Sequence, residues 1–171
     1  CEADRMEVDA AKAAARGFGL LKLKLTGEGD RERVAAVRKG APHVRLIVDA
    51  NESWGALDIA AEATALAALG VEMIEQPVPV GQEFLLDGVK SPVPFLADES
   101  CQSLADLDLC ARYYDGINIK LDKAGGLTEA LAMAGDAQAR GLKLMVGCML
   151  STSLGIAPAF LVAQGAQWVD L

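Results

Sequence analysis

The stretch VRLIVDANESW, residues 44–54, decides how this chain is read. A short apolar run ends abruptly at Asp49 and passes into polar loop residues, the pattern of a buried strand that delivers a carboxylate to its C-terminal end. Working outward, the pattern repeats. VEMIE closes on Glu75 and PFLAD closes on Asp98, while upstream LLKLKL carries Lys22 and Lys24. Including these, seven strands are expected over 20–25, 44–49, 71–75, 95–98, 117–120, 142–146 and 168–171.

The intervening segments have helical period and are often rich in alanine: 6–16, 30–39, 56–69, 82–89, 104–113, 127–140 and 154–164. Gly40, Gly70 and Gly141 stop three of them. Strand ends recur every 22 to 27 residues or so, about the length of one compact βα unit. The expected fold class is therefore α/β with a parallel sheet. An open doubly wound sheet gathers its site at one switch point, whereas here several consecutive strands end in chemically potent residues, as at the mouth of a TIM-type (β/α) barrel.

The chain has 171 residues, short of the roughly 250 of a complete eight-stranded barrel, so about seven strands of an incomplete one are expected. A first residue of Cys1 rather than methionine fits the same expectation of a partial domain over 1–171. The net charge of -8 disfavours nucleic acid and anionic membrane faces, both of which call for clustered lysine and arginine. No apolar run approaches the roughly 18 residues of a membrane span, and no basic segment followed by an apolar one suggests export. The four cysteines, Cys1, Cys101, Cys110 and Cys148, show no paired spacing and read as thiols of a cytoplasmic protein.

Asp49, Glu75 and Asp98 end three successive strands, and on a barrel they would converge at one rim. Singly, each is as well explained as a carboxylate at a helix N-terminus. Three together repel unless a hard cation neutralises them, and all-oxygen ligation favours Mg²⁺, or Mn²⁺, over zinc. Lys22 and Lys24 lie two apart on one strand and so share a face, and Lys120 ends a later strand. Lysines with their heads in solvent are common one at a time, but two flanking a carboxylate cluster suggest acid/base work. Such a pair suits removal of the proton α to a carboxylate and its return from the other side.

KLK (22–24), DANESW (49–54), IEQP (74–77), LADES (96–100), NIKLDKAGG (118–126) and GCMLSTSLG (147–155) together resemble the strand-end motifs of the muconate-lactonizing subgroup of the enolase superfamily. The resemblance spans the chain in order and is strongest to dipeptide epimerases acting on L-Ala-D/L-Glu. It implies metal ligands at Asp49, Glu75 and Asp98, an acid/base pair at Lys24 and Lys120, and an enediolate intermediate. Lys22 would then orient the substrate carboxylate and favour the neutral form of Lys24, with Asn51 and Glu99 steadying the ligands. Asp170 in WVDL resembles the first acid of a motif that holds a dipeptide's ammonium, and Cys148 and Met149 would line the pocket. The family's N-terminal capping domain, first barrel strand and last helix have no counterpart in the motifs of this chain.

Related o-succinylbenzoate synthases, N-acylamino acid racemases and muconate-type cycloisomerases share nearly all these motifs. A different reading is a truncated barrel without catalysis that completes itself as a homo-oligomer. His43, the sole histidine, precedes its strand and would lie at the end of the barrel away from the chemistry. Gly27 and Gly29 follow a strand and precede a helix, but Glu32 stands where a dinucleotide loop needs its third glycine. Trp54 is expected to pack over the loop after its strand, and Ser103 with Asp106 and Asp108 to form a capped helix start.

Overall fold

A computed structural model of the chain describes residues 3–171. Its backbone divides into two compact units, residues 1–94 and 95–171. Cys1 lies outside the described residues; among the described residues Cys101, Cys110 and Cys148 form no disulfide, and the first two are buried.

The first unit runs α1 (Ala3–Ala15), β1 (Leu20–Lys24), α2 (Asp30–Gly40), β2 (Arg45–Asp49), α3 (Ile59–Ala68) and β3 (Val71–Glu75), then a 3₁₀ turn over Glu83–Leu86. Its strands are parallel in the order β1-β2-β3. Strand β2 lies between the other two, and its Leu46, Ile47 and Val48 are fully buried, as a parallel strand with both faces covered requires. Helix α2 begins with Asp30 and Glu32 and ends with Arg38 and Lys39, charges that match its dipole at both ends. The Asp58 side chain caps α3 by accepting from the Ala61 N–H at 3.0 Å. Helices α1 and α2 meet at Gly40, where a Cβ would stand 2.1 Å from the Glu7 carbonyl oxygen, so only glycine allows that approach.

The second unit runs β4 (Phe95–Ala97), a 3₁₀ turn (Leu104–Asp106), α4 (Leu107–Tyr113), β5 (Gly116–Ile119), α5 (Leu121–Ala124), α6 (Leu127–Ala139), β6 (Lys143–Gly147), α7 (Ser153–Ile156), α8 (Ala159–Ala163) and β7 (Trp168–Asp170). These strands are also parallel, in the order β4-β5-β6-β7. Leu96, Ile117, Ile119, Met145 and Val146 form the buried strand core, and Ala130, Met133 and Ala137 present the apolar face of α6. The expected cap at Ser103 is present as a reciprocal pair with Asp106.

All seven expected strands are present within a residue or two, and several expected helices are altered. Residues 82–89 hold only the 3₁₀ turn, because Gly81 and Gly88 on either side take left-handed backbone angles of +85° and +72°, leaving too short a segment to nucleate a helix. Residues 154–164 split into α7 and α8 around Pro158, which has no N–H for a continuous ladder. Helix α3 starts at Ile59 instead of residue 56, where Asp58 caps it. The one-turn helix α5 was not expected.

Arg38, near the end of α2, joins two connections of the first unit. Its guanidinium donates to the carbonyls of Leu69 (2.8 Å), Gly70 (3.1 Å), Ala41 (3.2 Å), Pro42 (3.2 Å) and Val44 (2.7 Å). It thereby ties the C-terminal ends of α2 and α3 to the start of β2, supplying donors to carbonyls that the helix ends leave unpaired. Replacing Arg38 with alanine is expected to lower the unfolding free energy by about 2–3 kcal/mol, because several partly buried carbonyls lose a charged donor together. Lysine, a point charge without the planar fork, should recover only part of it in urea denaturation.

Candidate active site

In the first unit the register sets Lys24 of β1 beside Asp49 of β2, and Asp49 beside Glu75 of β3. Three charged side chains thus stand at one level across the strand ends. Asp49 and Glu75 have no solvent exposure, and a buried carboxylate is costly unless it is met by a cation or several donors. Lys22 meets both, its Nζ 2.7 Å from Glu75 Oε2 and 3.4 Å from Asp49 Oδ2. Lys24 also donates to Asp49 Oδ2. The two lysines differ in access: the Lys22 side chain is 11% exposed and that of Lys24 60%. Their spacing of two puts both ammonium groups on the Asp49 side of the strand, as alternation requires.

The backbone beyond these carboxylates is unusual. Asn51, Glu52 and Gln76 all have positive φ, 45°, 64° and 37°, although none is glycine. Such angles persist only where surrounding contacts hold them, and they cluster at functional sites. Here the Asn51 N–H donates to Asp49 Oδ1 at 2.9 Å, the Glu52 N–H to the Gln76 carbonyl at 2.8 Å, and the buried Gln76 side chain to the Val78 carbonyl at 2.8 Å. Asn51 therefore touches Asp49 through its backbone, while the residue itself is exposed.

In the second unit Asp98 immediately follows β4 and is 1% exposed. Lys120, just past β5, reaches its Oδ2 at 2.5 Å. Lys123, on α5, reaches its Oδ1 at 2.6 Å. Burial by itself would push the Asp98 carboxyl up, but Lys123 and Lys120 outweigh it and hold the group below the ordinary carboxylate range. Glu99 is half-buried, and its carbonyl accepts from the Gln102 side chain at 2.9 Å. Farther along, β7 ends at Asp170, opposite Gly147 of β6. The Cys148 thiol lies 3.7 Å from the Asp170 carbonyl at the end of β7, and the Met149 N–H, two residues past β6, lies 3.3 Å from Asp122 Oδ2 on α5.

The glycines of the β1–α2 loop serve a turn. Asp30 accepts from the Thr26 N–H at 3.0 Å, the Gly27 N–H at 2.9 Å and the buried Trp54 indole at 3.2 Å. Its carboxylate thus occupies the amides where a phosphate would sit, which disposes of a nucleotide loop. Trp54, expected over its own loop, anchors this neighbouring one as well. His43 is exposed just before β2, at the opposite end of that strand from Asp49. Lys123 was not singled out from the sequence. The available signal was its spacing of three from Lys120 in KLDK, since one helical turn returns a side chain to the same side.

Parallel strands alternating with helices define an α/β domain, and its lysine-paired carboxylates stand at the strand C-termini. The chain belongs to the Enolase C-terminal domain-like family, whose model matches residues 5–168. It is 45% identical over 168 residues to the L-Ala-D/L-Glu epimerase of Escherichia coli, covering 98% of this chain and 52% of that protein. Among solved structures, an enolase family member from Agrobacterium tumefaciens with homology to dipeptide epimerases, bound to sodium and L-Ala-L-Glu, superposes with a TM-score of 0.95. Its identity is 47%, over 100% of this chain and 52% of that one. A dipeptide epimerase from Cytophaga hutchinsonii, complexed with Mg and D-Ala-L-Val, superposes with a TM-score of 0.91 at 28% identity, over 99% and 49% of the two chains. The chain spans about half the length of the curated relatives it matches. Among the described residues, no helix is long and apolar enough to cross a membrane.

Lys22 is the buried counter-ion shared by Asp49 and Glu75. Lys22→Met is expected to lower stability by about 3 kcal/mol in EDTA, because it strands buried charge. Lys24→Met should cost under about 1 kcal/mol, since its ammonium is largely in solvent. Urea unfolding of the two variants side by side checks the contrast.

Proposed function

We propose that this chain is the catalytic part of a dipeptide epimerase of the L-Ala-D/L-Glu type, with Asp49, Glu75 and Asp98 holding one Mg²⁺ or Mn²⁺ ion. The observation that carries this reading is the same pairing in each unit: a buried strand-end carboxylate with a lysine in contact, Lys24 on Asp49 and Lys120 on Asp98. The donor set fits a hard divalent cation, since all three candidate ligands are buried carboxylates and each is already compensated by positive charge. The two units are read as successive segments of one partial barrel domain over 1–171, as membership of the family supports.

A bound ion would draw off the charge that develops on the substrate carboxylate when the α-proton leaves, stabilising the enediolate. The remaining work falls to side chains of this chain. Lys24 and Lys120 form the acid/base pair: one takes the α-proton and the other returns it from the opposite side, which inverts the centre. Lys22, fixed by Glu75 and Asp49, supplies a standing positive charge for the substrate carboxylate. Asp170, exposed at the end of β7, is the group for a dipeptide's ammonium, with Cys148 and Met149 beside it as pocket lining. Asn51 holds Asp49 through its N–H, and Glu99 is the residue next to Asp98.

The test is solvent deuterium incorporation at the glutamyl α-carbon of L-Ala-L-Glu with added Mg²⁺, followed by NMR for this chain and for the product of its complete gene. Metal-dependent exchange is expected, falling by about 10²–10⁴-fold in Lys24→Ala and in Lys120→Ala, the usual loss for a positioned acid or base. A folded, Mg²⁺-binding gene product that exchanges no α-proton of this dipeptide rejects the substrate assignment.

A further inference from the structure

The ammonium of Lys123 is fully committed. Its Nζ donates to Asp98 Oδ1 at 2.6 Å, to the Asp98 carbonyl at 2.6 Å and to the Asn118 carbonyl at 3.0 Å. An ammonium has three N–H donors, so all three are used, two of them on main chain. The side chain is 9% exposed. It therefore fastens the end of β4 to β5 at the residue bearing the carboxylate, with neither the freedom nor a spare donor for work on a substrate.

The backbone that delivers it is equally constrained. Lys123 lies in α5, a single turn that starts directly after Lys120, with the Lys123 N–H donating to the Lys120 carbonyl at 3.0 Å. Gly125 and Gly126, at φ of +87° and +131°, end that turn, and both of their N–H groups donate to the Leu121 carbonyl at 3.0 Å. No Cβ clash explains these glycines, so their role is the backbone angle, which stops the turn one residue after Lys123 has been directed back to Asp98.

Lys120 and Lys123 thus divide one carboxylate between them, Lys120 on Oδ2 and Lys123 on Oδ1. We propose that Lys123 is the positioning residue for Asp98: it holds Oδ1 permanently, so that Oδ2 is the oxygen exchanged between Lys120 and a divalent cation. This rests on reading Asp98 as a metal ligand. Lys123 is then no acid or base, and Lys120 leaves Oδ2, free for proton transfer, when the cation takes its place.

The assignment predicts opposite signs for two neighbouring lysines. Electrostatics alone makes loss of a cation beside a divalent ion strengthen metal binding, whichever lysine is removed. Positioning by Lys123 overrides this, since loss of a group that orients a ligand typically weakens metal affinity by about 10–100-fold. The experiment is titration of the chain with Mn²⁺, read by the electron paramagnetic resonance of the free ion, with thermal unfolding in EDTA to establish that each variant is folded. Lys123→Met is expected to bind Mn²⁺ at least about tenfold more weakly, Lys123→Arg to restore most of the affinity, and Lys120→Met to bind as tightly as the parent or more so. Lys123→Gln, which keeps an N–H donor for the carbonyls but no charge, replaces the methionine variant should that one fail to fold, with the same weakening expected. Unchanged or tighter binding in Lys123→Met or Lys123→Gln overturns the proposal, as does equal weakening on losing either lysine. Asp98→Asn separates the underlying reading: if it leaves Mn²⁺ affinity intact, Asp98 is no ligand, and the metal site fails independently of Lys123.

Discussion

A carboxylate sealed from water stays ionised only if positive charge is delivered to it, and the ends of the strands in this chain are built around that requirement. Asp49, Glu75 and Asp98 are all but fully buried. Lys22 and Lys24 answer the first two from β1, and Lys120 and Lys123 answer the third from the end of β5 and the turn after it. Parallel pairing makes this possible, because every strand points the same way and every C-terminal end carries its charged residue to the same side of its unit.

The supports around these charges are main-chain devices. Non-glycine residues at positive φ follow both Asp49 and Glu75 and are latched by hydrogen bonds between their two loops. Asp30 gathers the amides of the β1–α2 loop and the Trp54 indole, fixing the segment just after Lys24. Toward the opposite end of those strands Arg38 binds five carbonyls of the connecting turns. Strain is thus concentrated where the candidate chemistry lies, and conventional capping and clamping stabilise the rest.

The proposed epimerase chemistry follows from a division of labour among lysines. Lys22 and Lys123 have little exposure and are multiply bonded, suited to fixed charge. Lys24 is largely exposed, a position from which an ammonium can move toward a substrate, and Lys120, itself buried, contacts Oδ2 of the carboxylate it shares with Lys123. A reaction that moves a proton between two faces needs both fixed charge and groups that can move.

Strand positions were legible because the chain alternates apolar runs with polar stops at a regular interval, and hydrophobic periodicity needs no knowledge of tertiary contacts. The candidate residues Asp49, Glu75, Asp98, Lys24 and Lys120 were legible for the same reason: each stands where a strand ends. Helices were less so. Pro158 and the glycines at 81 and 88 cut segments whose composition alone reads as helix, since the cut depends on backbone angle. What only the tertiary structure decided is which partner each charge takes. Lys123 reaches Asp98 across 25 residues of sequence, Lys22 reaches Glu75 across 53, and Arg38 finds its carbonyls in turns from two different connections. The sequence by itself determined where the strands end and which charges stand there, because periodicity is local. The pairings were decided by the fold, because the desolvation that makes each pairing necessary arises only when distant strands pack together.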